Sequence, residues 1–449
     1  MKPKQIKQIL LSEIKKVSDR ADEFCLNPSK CFVRKRKLSF ETVIRGIIGM
    51  ESKSLTNELI DMFDSSPEMT SASAFVQQRS KIKPDAFKTI FESFTSKITT
   101  KKSDTLRILA VDGSDVQIAT NPGDSTSYHP GSNGQKPYNL LHLNALYDLE
   151  HHIYTDAVIQ GHLNWNEHSA LQEMVDKSDI SKALVVADRG YESYNNMAHI
   201  QEKGWYFLIR IKDGKNGIKQ GLDLPDSDEF DEKINLQLTR KQTKETKELF
   251  KRKNYYKFVP STTFFEYLPL KSKKNDPAVF YELNFRIVRF KVTDELYETV
   301  LTNLDKDVYP PEKLRELYAS RWGIETSFRD LKYTVGMLDF HSKKVMCIHQ
   351  EIYAHLIMYN FAEMITSHIV IEKKQRKYTY KANFSIAAHM CRLFYRGKAT
   401  SPNLETIIAR HIIPVRNDRH RKRNLTIKVF HGFLYSCLLY TSPSPRDYA

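Results

Sequence analysis

The stretch from residue 105 to 212 constrains the fold most, because short apolar runs alternate there with amphipathic segments. Three of these runs follow one another and read as strands: LRILAVDGSDVQI, NLLHLNALYDL and HIYTDAVIQ. Two further strand signals, ALVVADRGY and WYFLIRI, each follow a helix signal, HSALQEMVDKS and NNMAHIQEKG. Successive strands followed by strand–helix–strand alternation predict a mixed α/β sheet with helices on its faces.

The regions around this stretch predict further parts. Residues 1–104 carry apolar side chains at three- and four-residue spacing, which predicts an all-helical N-terminal domain with possible DNA binding. Its last helix, long and basic around AFVQQRSKI, is expected to continue after Pro84 as DAFKTIFESFTSKI. The basic run RKRK at 34–37 fits phosphate contacts or a merely solvated loop equally well.

Later segments complete the predicted order of domains. Residues 213–290 are first polar and irregular and then aromatic and strand-like, which predicts a β-rich insertion that interrupts the sheet. Residues 291–370 return to the sheet domain and contain the apolar helix IHQEIYAHLIMYNFAEMI, and 371–436 form a basic C-terminal region. From Cys437 the sequence CLLYTSPSPRD looks like a translated sequencing adapter, so 437–449 is predicted to be a non-native tail.

Charge, cysteine content and hydropathy indicate which partners and which cellular compartment suit this chain. Lys and Arg number 69 against 54 Asp and Glu, which gives a net charge of +15. This charge slightly favours a protein that binds a polyanion, nucleic acid above all, over an ordinary Lys-rich protein. The five cysteines form no C-x-x-C pair, so neither a disulfide framework nor a zinc site is indicated. With no apolar run of about 18 residues and a polar N-terminus, a soluble intracellular protein without membrane contact is expected.

Two aspartates stand where apolar strands end. Asp112 follows LRILAV, and Asp188 follows ALVVA. An acid at such a strand end can face a ligand, although a single one is more often a turn or cap residue. Asp115 lies in the same stretch as Asp112 and remains an alternative to it. A few acids converging at a sheet edge would suit a hard divalent cation such as Mg²⁺.

A third acid lies on a segment that reads as one helix from Tyr318 to Lys332. At about 100° per residue, Tyr318, Arg321, Glu325 and Lys332 share one face beside an apolar stripe. Glu325 is therefore a candidate third carboxylate, with a solvated ion pair to Arg321 or Arg329 as the alternative. Five histidines could suggest a metal site, but their spacing matches no ligand motif, so ordinary strand and loop positions are favoured for them. They are His142, His151, His152, His162 and His168.

These residues form a recognisable pattern. Tyr318-x-x-Arg321-x-x-x-Glu325-x-x-x-x-x-x-Lys332 resembles the Y-R-E-K signature of bacterial DDE transposases of the insertion-sequence-four type. VDGS and ADRGY look like the first and second aspartate motifs of that family, in the same order. The resemblance extends over roughly residues 40 to 365.

The resemblance implies an RNase H-like catalytic core with a β-rich insertion between the second Asp and the Glu. By position, Asp112, Asp188 and Glu325 would bind two Mg²⁺ ions, for which Mn²⁺ can substitute. Tyr318, Arg321 and Lys332 would contact DNA phosphates near the cleaved end, and a packing role is favoured for Trp322 over stacking on a flipped base.

The implied reaction is hydrolysis at the terminal inverted repeats of an insertion sequence, followed by attack of the 3′-hydroxyl ends on target DNA. The implied partners are these DNAs and a second copy of the chain, with which it would form a homodimer in the DNA complex. The implied location is the bacterial cytoplasm, in association with the nucleoid. The alternatives are an RNase H-like DNA nuclease without strand transfer, and an inactivated DNA-binding derivative.

Overall fold

The computed structural model describes residues 1–99, 105–131, 136–211, 217–270, 276–293, 296–369 and 379–415. The predicted non-native tail and the parts 371–378 and 416–436 of the basic C-terminal region lie outside these ranges. Within them, no helix combines the length and the apolar character needed to cross a bilayer.

Helices occupy both ends of the described chain and connect the strands between them. Their bounds are α1 Pro3–Ser18, α2 Phe40–Gly49, α3 Leu55–Met62, α4 Ala72–Arg79, α5 Asp85–Ile98, α6 Glu167–Lys177, α7 Tyr194–Glu202, α8 Lys244–Leu249, α9 Pro311–Ser320, α10 Trp322–Tyr333, α11 Val345–Thr366, α12 Phe384–Tyr395 and α13 Ser401–Arg410. Short 3₁₀ turns follow at His162–Asn164 and Arg189–Tyr191.

The strands fall into one large sheet and one two-stranded sheet. Their bounds are β1 Arg107–Ile118, β2 Tyr128–His129, β3 Tyr138–Asp148, β4 Ile153–Gly161, β5 Ala183–Ala187, β6 Tyr206–Arg210, β7 Phe230–Thr239, β8 Tyr256–Phe258, β9 Tyr281–Thr293, β10 Leu296–Thr302, β11 Thr379–Ala382 and β12 Ile412–Val415. The strands and helices predicted between 105 and 212 are therefore confirmed.

The large sheet is mixed, as predicted. β1 pairs antiparallel with β3, and β3 pairs antiparallel with β4. On its other side β1 pairs parallel with β5, and β5 pairs parallel with β6. The strand-helix-strand units through α6 and α7 produce the parallel part, because a parallel pair needs a crossover connection. This part of the sheet sets β1 and β5 side by side at its centre.

The strands from the region predicted to be an insertion continue the same sheet. β10 pairs with β6, β9 with β10, and β7 with β9, all antiparallel, and β8 completes this edge. The segment between 213 and 290 is thus β-rich and also hydrogen-bonded to the sheet through β9. Local patterns did not indicate the pairing of β10 with β6, because it joins residues as far apart in sequence as Val300 and Arg210.

The N-terminal helices share their core with the rest of the chain. α1, α2 and α5 pack against α11 and against the sheet face that carries Ala110 and Leu143. The buried Arg79 of α4 donates from Nη1 to Glu351 Oε1 of α11 at 2.8 Å. The opposite sheet face, with Leu109 and Val111, packs on α6 and α7.

Two helix predictions are wrong in detail. The helix predicted to run through Pro84 is two helices, α4 and α5, because proline has no N–H to continue the ladder and stands directly before α5. The segment Tyr318–Lys332 is likewise interrupted, since α9 ends at Ser320 and α10 begins at Trp322. Arg321 between them keeps helical angles, with φ −51° and ψ −31°, so the two helices remain nearly continuous.

Candidate active site

Asp112 and Asp188 lie at neighbouring positions of two parallel strands. Ala110 of β1 pairs with Val186 of β5, and each aspartate lies two residues further along its strand direction. The Gly113 N–H donates to Asp112 Oδ1 at 2.9 Å, and the Gly190 N–H donates to Asp188 Oδ1 at 2.7 Å. A backbone N–H therefore holds each carboxylate. Asp188 directly follows the end of β5, as predicted, but Asp112 lies within β1, which continues to Ile118, so the prediction that Asp112 ends a strand is wrong.

α10 brings Glu325 to this pair through Arg321. α10 packs on β1, with Ile324 and Phe328 buried in the core beneath it. Arg321 is only 8% exposed, and its Nη2 donates to Glu325 Oε1 at 2.8 Å while its Nη1 lies 3.9 Å from Asp112 Oδ2. The guanidinium thus connects the first and third predicted carboxylates. The ion pair considered as an alternative for Glu325 is present, with the Arg321 side chain 9% exposed and the Glu325 side chain 31% exposed.

The electrostatics of Asp112 reflect this crowding. Burial raises the pKa of Asp112, the Arg321 charge lowers it, and the charges of Asp188 and Glu325 raise it again, with a result of about 6. The like charges of Asp188 and Glu325 oppose ionisation of Asp112 in the absence of a cation. The arrangement is suited to a strongly positive ligand.

The other signature residues lie around these acids. Lys332 Nζ donates to the Asp115 carbonyl oxygen at 2.7 Å, which places it at the far part of β1. Tyr318 is buried, and the Arg321 guanidinium lies 5.9 Å from its ring centroid. Trp322 is 52% exposed, so the packing role expected for it is not what the structure shows.

Asp115, the alternative to Asp112, takes part in a different contact. Its Oδ1 lies 2.7 Å from Nδ1 of His142, its cross-strand partner on β3, and 3.7 Å from His162 Nε2. The structure therefore groups Asp112, and not Asp115, with Asp188 and Glu325.

Two residues at this edge were not singled out as site residues from the sequence. His142 lies between Asp115 and Glu167, with its Nε2 3.1 Å from Glu167 Oε1. Although burial lowers the pKa of His142, these two carboxylates raise it to about 9. Glu167 is the first residue of α6, where an acid is common because it complements the helix dipole, so its sequence position carries no site signal.

The donor chemistry fits a hard divalent cation. Carboxylate oxygens are the ligands that Mg²⁺ prefers, together with water and substrate phosphate, and here they come from β1, from the end of β5 and from α10. Among the described residues, no three His, Cys, Asp or Glu side chains are gathered closely enough to hold a metal ion by themselves. Arg321 between Asp112 and Glu325 accounts for part of this spacing.

The chain is similar to several known proteins. A family model described as a transposase DDE domain matches residues 103–361, more than half of the chain. Transposase InsG for insertion sequence element IS4, from Escherichia coli strain K12, is 20% identical over 345 residues, which cover 73% of this chain and 70% of that protein. The piggyBac transposase in a synaptic complex with hairpin DNA, solved by cryo-EM, aligns over 94% of this chain and 87% of that one, with a TM-score of 0.43 and 11% identity.

The matched region spans all three predicted carboxylates, from before β1 to within α11. The chain therefore belongs to the DDE transposases of the insertion-sequence-four type.

Proposed function

We propose that this transposase cuts DNA at the terminal inverted repeats of an insertion sequence and joins the freed 3′-hydroxyl ends to target DNA. The observation that carries the proposal is the position of Arg321 between Asp112 and Glu325, with Asp188 on the adjacent strand. This arrangement offers three acids to cations and one guanidinium to a phosphate.

DDE transposases use divalent metal ions, and we infer two Mg²⁺ ions held by Asp112, Asp188 and Glu325, with Mn²⁺ as a substitute. Such a pair of ions would activate the attacking oxygen and stabilise the leaving oxygen of a phosphodiester displacement. The raised pKa of Asp112 supports this inference, because it shows that the nearby Arg321 charge does not offset burial and the negative charges around Asp112. A bound cation would supply the missing positive charge.

Arg321 takes a double role in this proposal. In the absence of DNA it neutralises Glu325 and part of the Asp112 charge. A DNA phosphate competes for the guanidinium through charge-assisted hydrogen bonds, and its binding frees Glu325 for the metal site. Lys332 holds a second phosphate further along β1, and Tyr318 supports Arg321 from beneath.

The finer architecture is also a proposal. We infer an RNase H-like core from the antiparallel strands β1, β3 and β4 beside the parallel strands β5 and β6. The domain division is 1–104, 105–212, 213–290, 291–370 and 371–436, followed by the tail 437–449. A homodimer would hold the two element ends together, and the net charge of +15 supports DNA as the partner.

The experiment is a joining assay with purified protein, Mg²⁺, a labelled linear DNA that carries the inverted repeat flanking the gene, and a supercoiled target plasmid. The proposal expects cut ends and then labelled DNA joined to the plasmid, with neither product in EDTA. Cut ends without joined products would support the nuclease alternative. DNA binding without either product would support the inactivated derivative.

A further inference from the structure

Glu167 lies beside Gly113 and Gly190, which closely follow the two aspartates of the proposed active site. A Cβ atom built on Gly113, the residue after Asp112, would be 2.5 Å from Glu167 Oε1. A Cβ atom built on Gly190 would be 3.7 Å from Glu167 Oε2 and 3.0 Å from Asp188 Oδ1. The two glycines therefore leave space for one carboxylate between β1 at Gly113 and the turn after β5 at Gly190.

His142 fixes the orientation of this carboxylate. Its Nε2 lies 3.1 Å from Glu167 Oε1, and its Nδ1 lies 2.7 Å from Asp115 Oδ1, so the ring connects two acids. The ring is almost fully buried, and it packs against Trp165 with centroids 4.3 Å apart. A side chain held from both ends in this way cannot turn without losing a charged hydrogen bond.

A buried hydroxyl is an independent sign that this space takes a ligand. Tyr191 is 1% exposed, and its hydroxyl has no hydrogen-bond partner among the described residues. The negative charges of Glu167, Asp112 and Asp188 all act on this hydroxyl. A buried donor without a partner costs about 1–3 kcal/mol, so a water or another ligand between these acids and the tyrosine would satisfy it.

We propose that Glu167 is a fourth carboxylate of the metal centre and that His142 positions it beside Asp112 and Asp188. This inference rests on the proposed function, because it assigns Glu167 to the same divalent cations. Glu167 binds the cation directly or through one of its waters, and His142 acts only by holding Glu167.

The test compares Glu167→Gln with Glu173→Gln, the same change on the same helix at an exposed residue that pairs with Lys177. Binding of Mn²⁺ to the DNA-free protein is measured by titration calorimetry, and the half-saturating Mg²⁺ concentration for DNA cleavage is measured separately. We expect Glu167→Gln to weaken Mn²⁺ binding about 10- to 100-fold and to raise the half-saturating concentration, with Glu173→Gln like the wild type.

A third variant tests the positioning role. His142→Phe keeps a ring against Trp165 but removes both hydrogen bonds, and it should weaken Mn²⁺ binding in the same direction with less loss of cleavage at saturating Mg²⁺. If Glu167→Gln does not fold, Glu167→Asp keeps the charge but shortens the side chain, and it should also weaken Mn²⁺ binding.

The outcomes separate this inference from the proposed function. Wild-type Mn²⁺ affinity and Mg²⁺ dependence in the folded Glu167 variants would overturn the role of Glu167, provided that Asp112→Asn and Asp188→Asn lose binding. Wild-type affinity in the two aspartate variants would instead overturn the metal centre itself.

Discussion

The charge cluster at the active site should make the metal-free protein less stable than its own inactive variant. Asp112 is largely buried beside Asp188 and Glu325, with 24% of its side chain exposed to solvent. We predict that Asp112→Asn raises the free energy of unfolding in EDTA at pH 8. The Asn oxygen can still accept the hydrogen bond from the Gly113 N–H, so the change removes the charge and little else.

The magnitude follows from the pKa of Asp112. A carboxyl whose pKa rises from 3.8 to about 6 on folding costs roughly 3 kcal/mol more to ionise in the folded protein than in the unfolded chain. Because the folded pKa is the higher one, this cost is absent below the unfolded value and grows as pH rises through the folded value. The gain from Asp112→Asn should therefore be full above about pH 7, about half at pH 5 and small below about pH 4.

Thermal unfolding of the two proteins in EDTA, followed by circular dichroism between pH 4 and pH 8.5, measures this difference. A gain of roughly 3 kcal/mol corresponds to roughly 3 °C in Tm for a chain of this length. Asp115→Asn is the matched control on the same strand: contacts with His142 lower the pKa of Asp115, so its loss should not stabilise the protein. An Asp112→Asn protein that is no more stable than the wild type at pH 8, or a gain that does not change with pH, would refute the reasoning.

Three further predictions concern other named contacts. Glu351→Gln removes one member of the buried pair with Arg79 and should lower the free energy of unfolding by about 3–5 kcal/mol at pH 8. Because the pKa of Glu351 is lowered to about 2, denaturant titrations should show that this difference from the wild type shrinks as pH falls below 4.5. Gly336→Ala forces a side chain onto a residue with φ +90° and a contact with Ser52 Oγ, and should cost about 1–2 kcal/mol in the same titration, part of which Ser52→Gly should restore. Lys332→Ala should reduce the slope of log affinity against log salt for the element end by about 1, measured by fluorescence anisotropy, and an unchanged slope would remove Lys332 from the phosphate contacts.

The neighbouring positions of Asp112 and Asp188 could be expected from the sequence for a physical reason. Each aspartate follows an apolar run that reads as a buried strand, and parallel pairing of the two strands brings equivalent positions side by side. The prediction that both aspartates end a strand holds only for Asp188, because β1 continues to Ile118. The residue types of the Y-R-E-K signature added Glu325, which the helix pattern alone left open to a simple ion pair.

The remaining features depend on contacts that no local pattern records. Asp115 and His142 are 27 residues apart and meet only because β1 and β3 pair in a particular register. Glu167 opens a helix, where an acid is unremarkable, and it reaches the site through the space left by Gly113. The sequence pattern also could not predict the break at Arg321, because the segments on both sides of it are helical.

The most direct test of the central claim is Mg²⁺-dependent cleavage of the element end by Asp112→Asn, Asp188→Asn and Glu325→Gln, measured beside DNA binding. The account predicts that each substitution abolishes cleavage while the affinity for the DNA end stays largely as in the wild type. Full cleavage by any one of these variants would contradict the assignment of that residue to the catalytic centre.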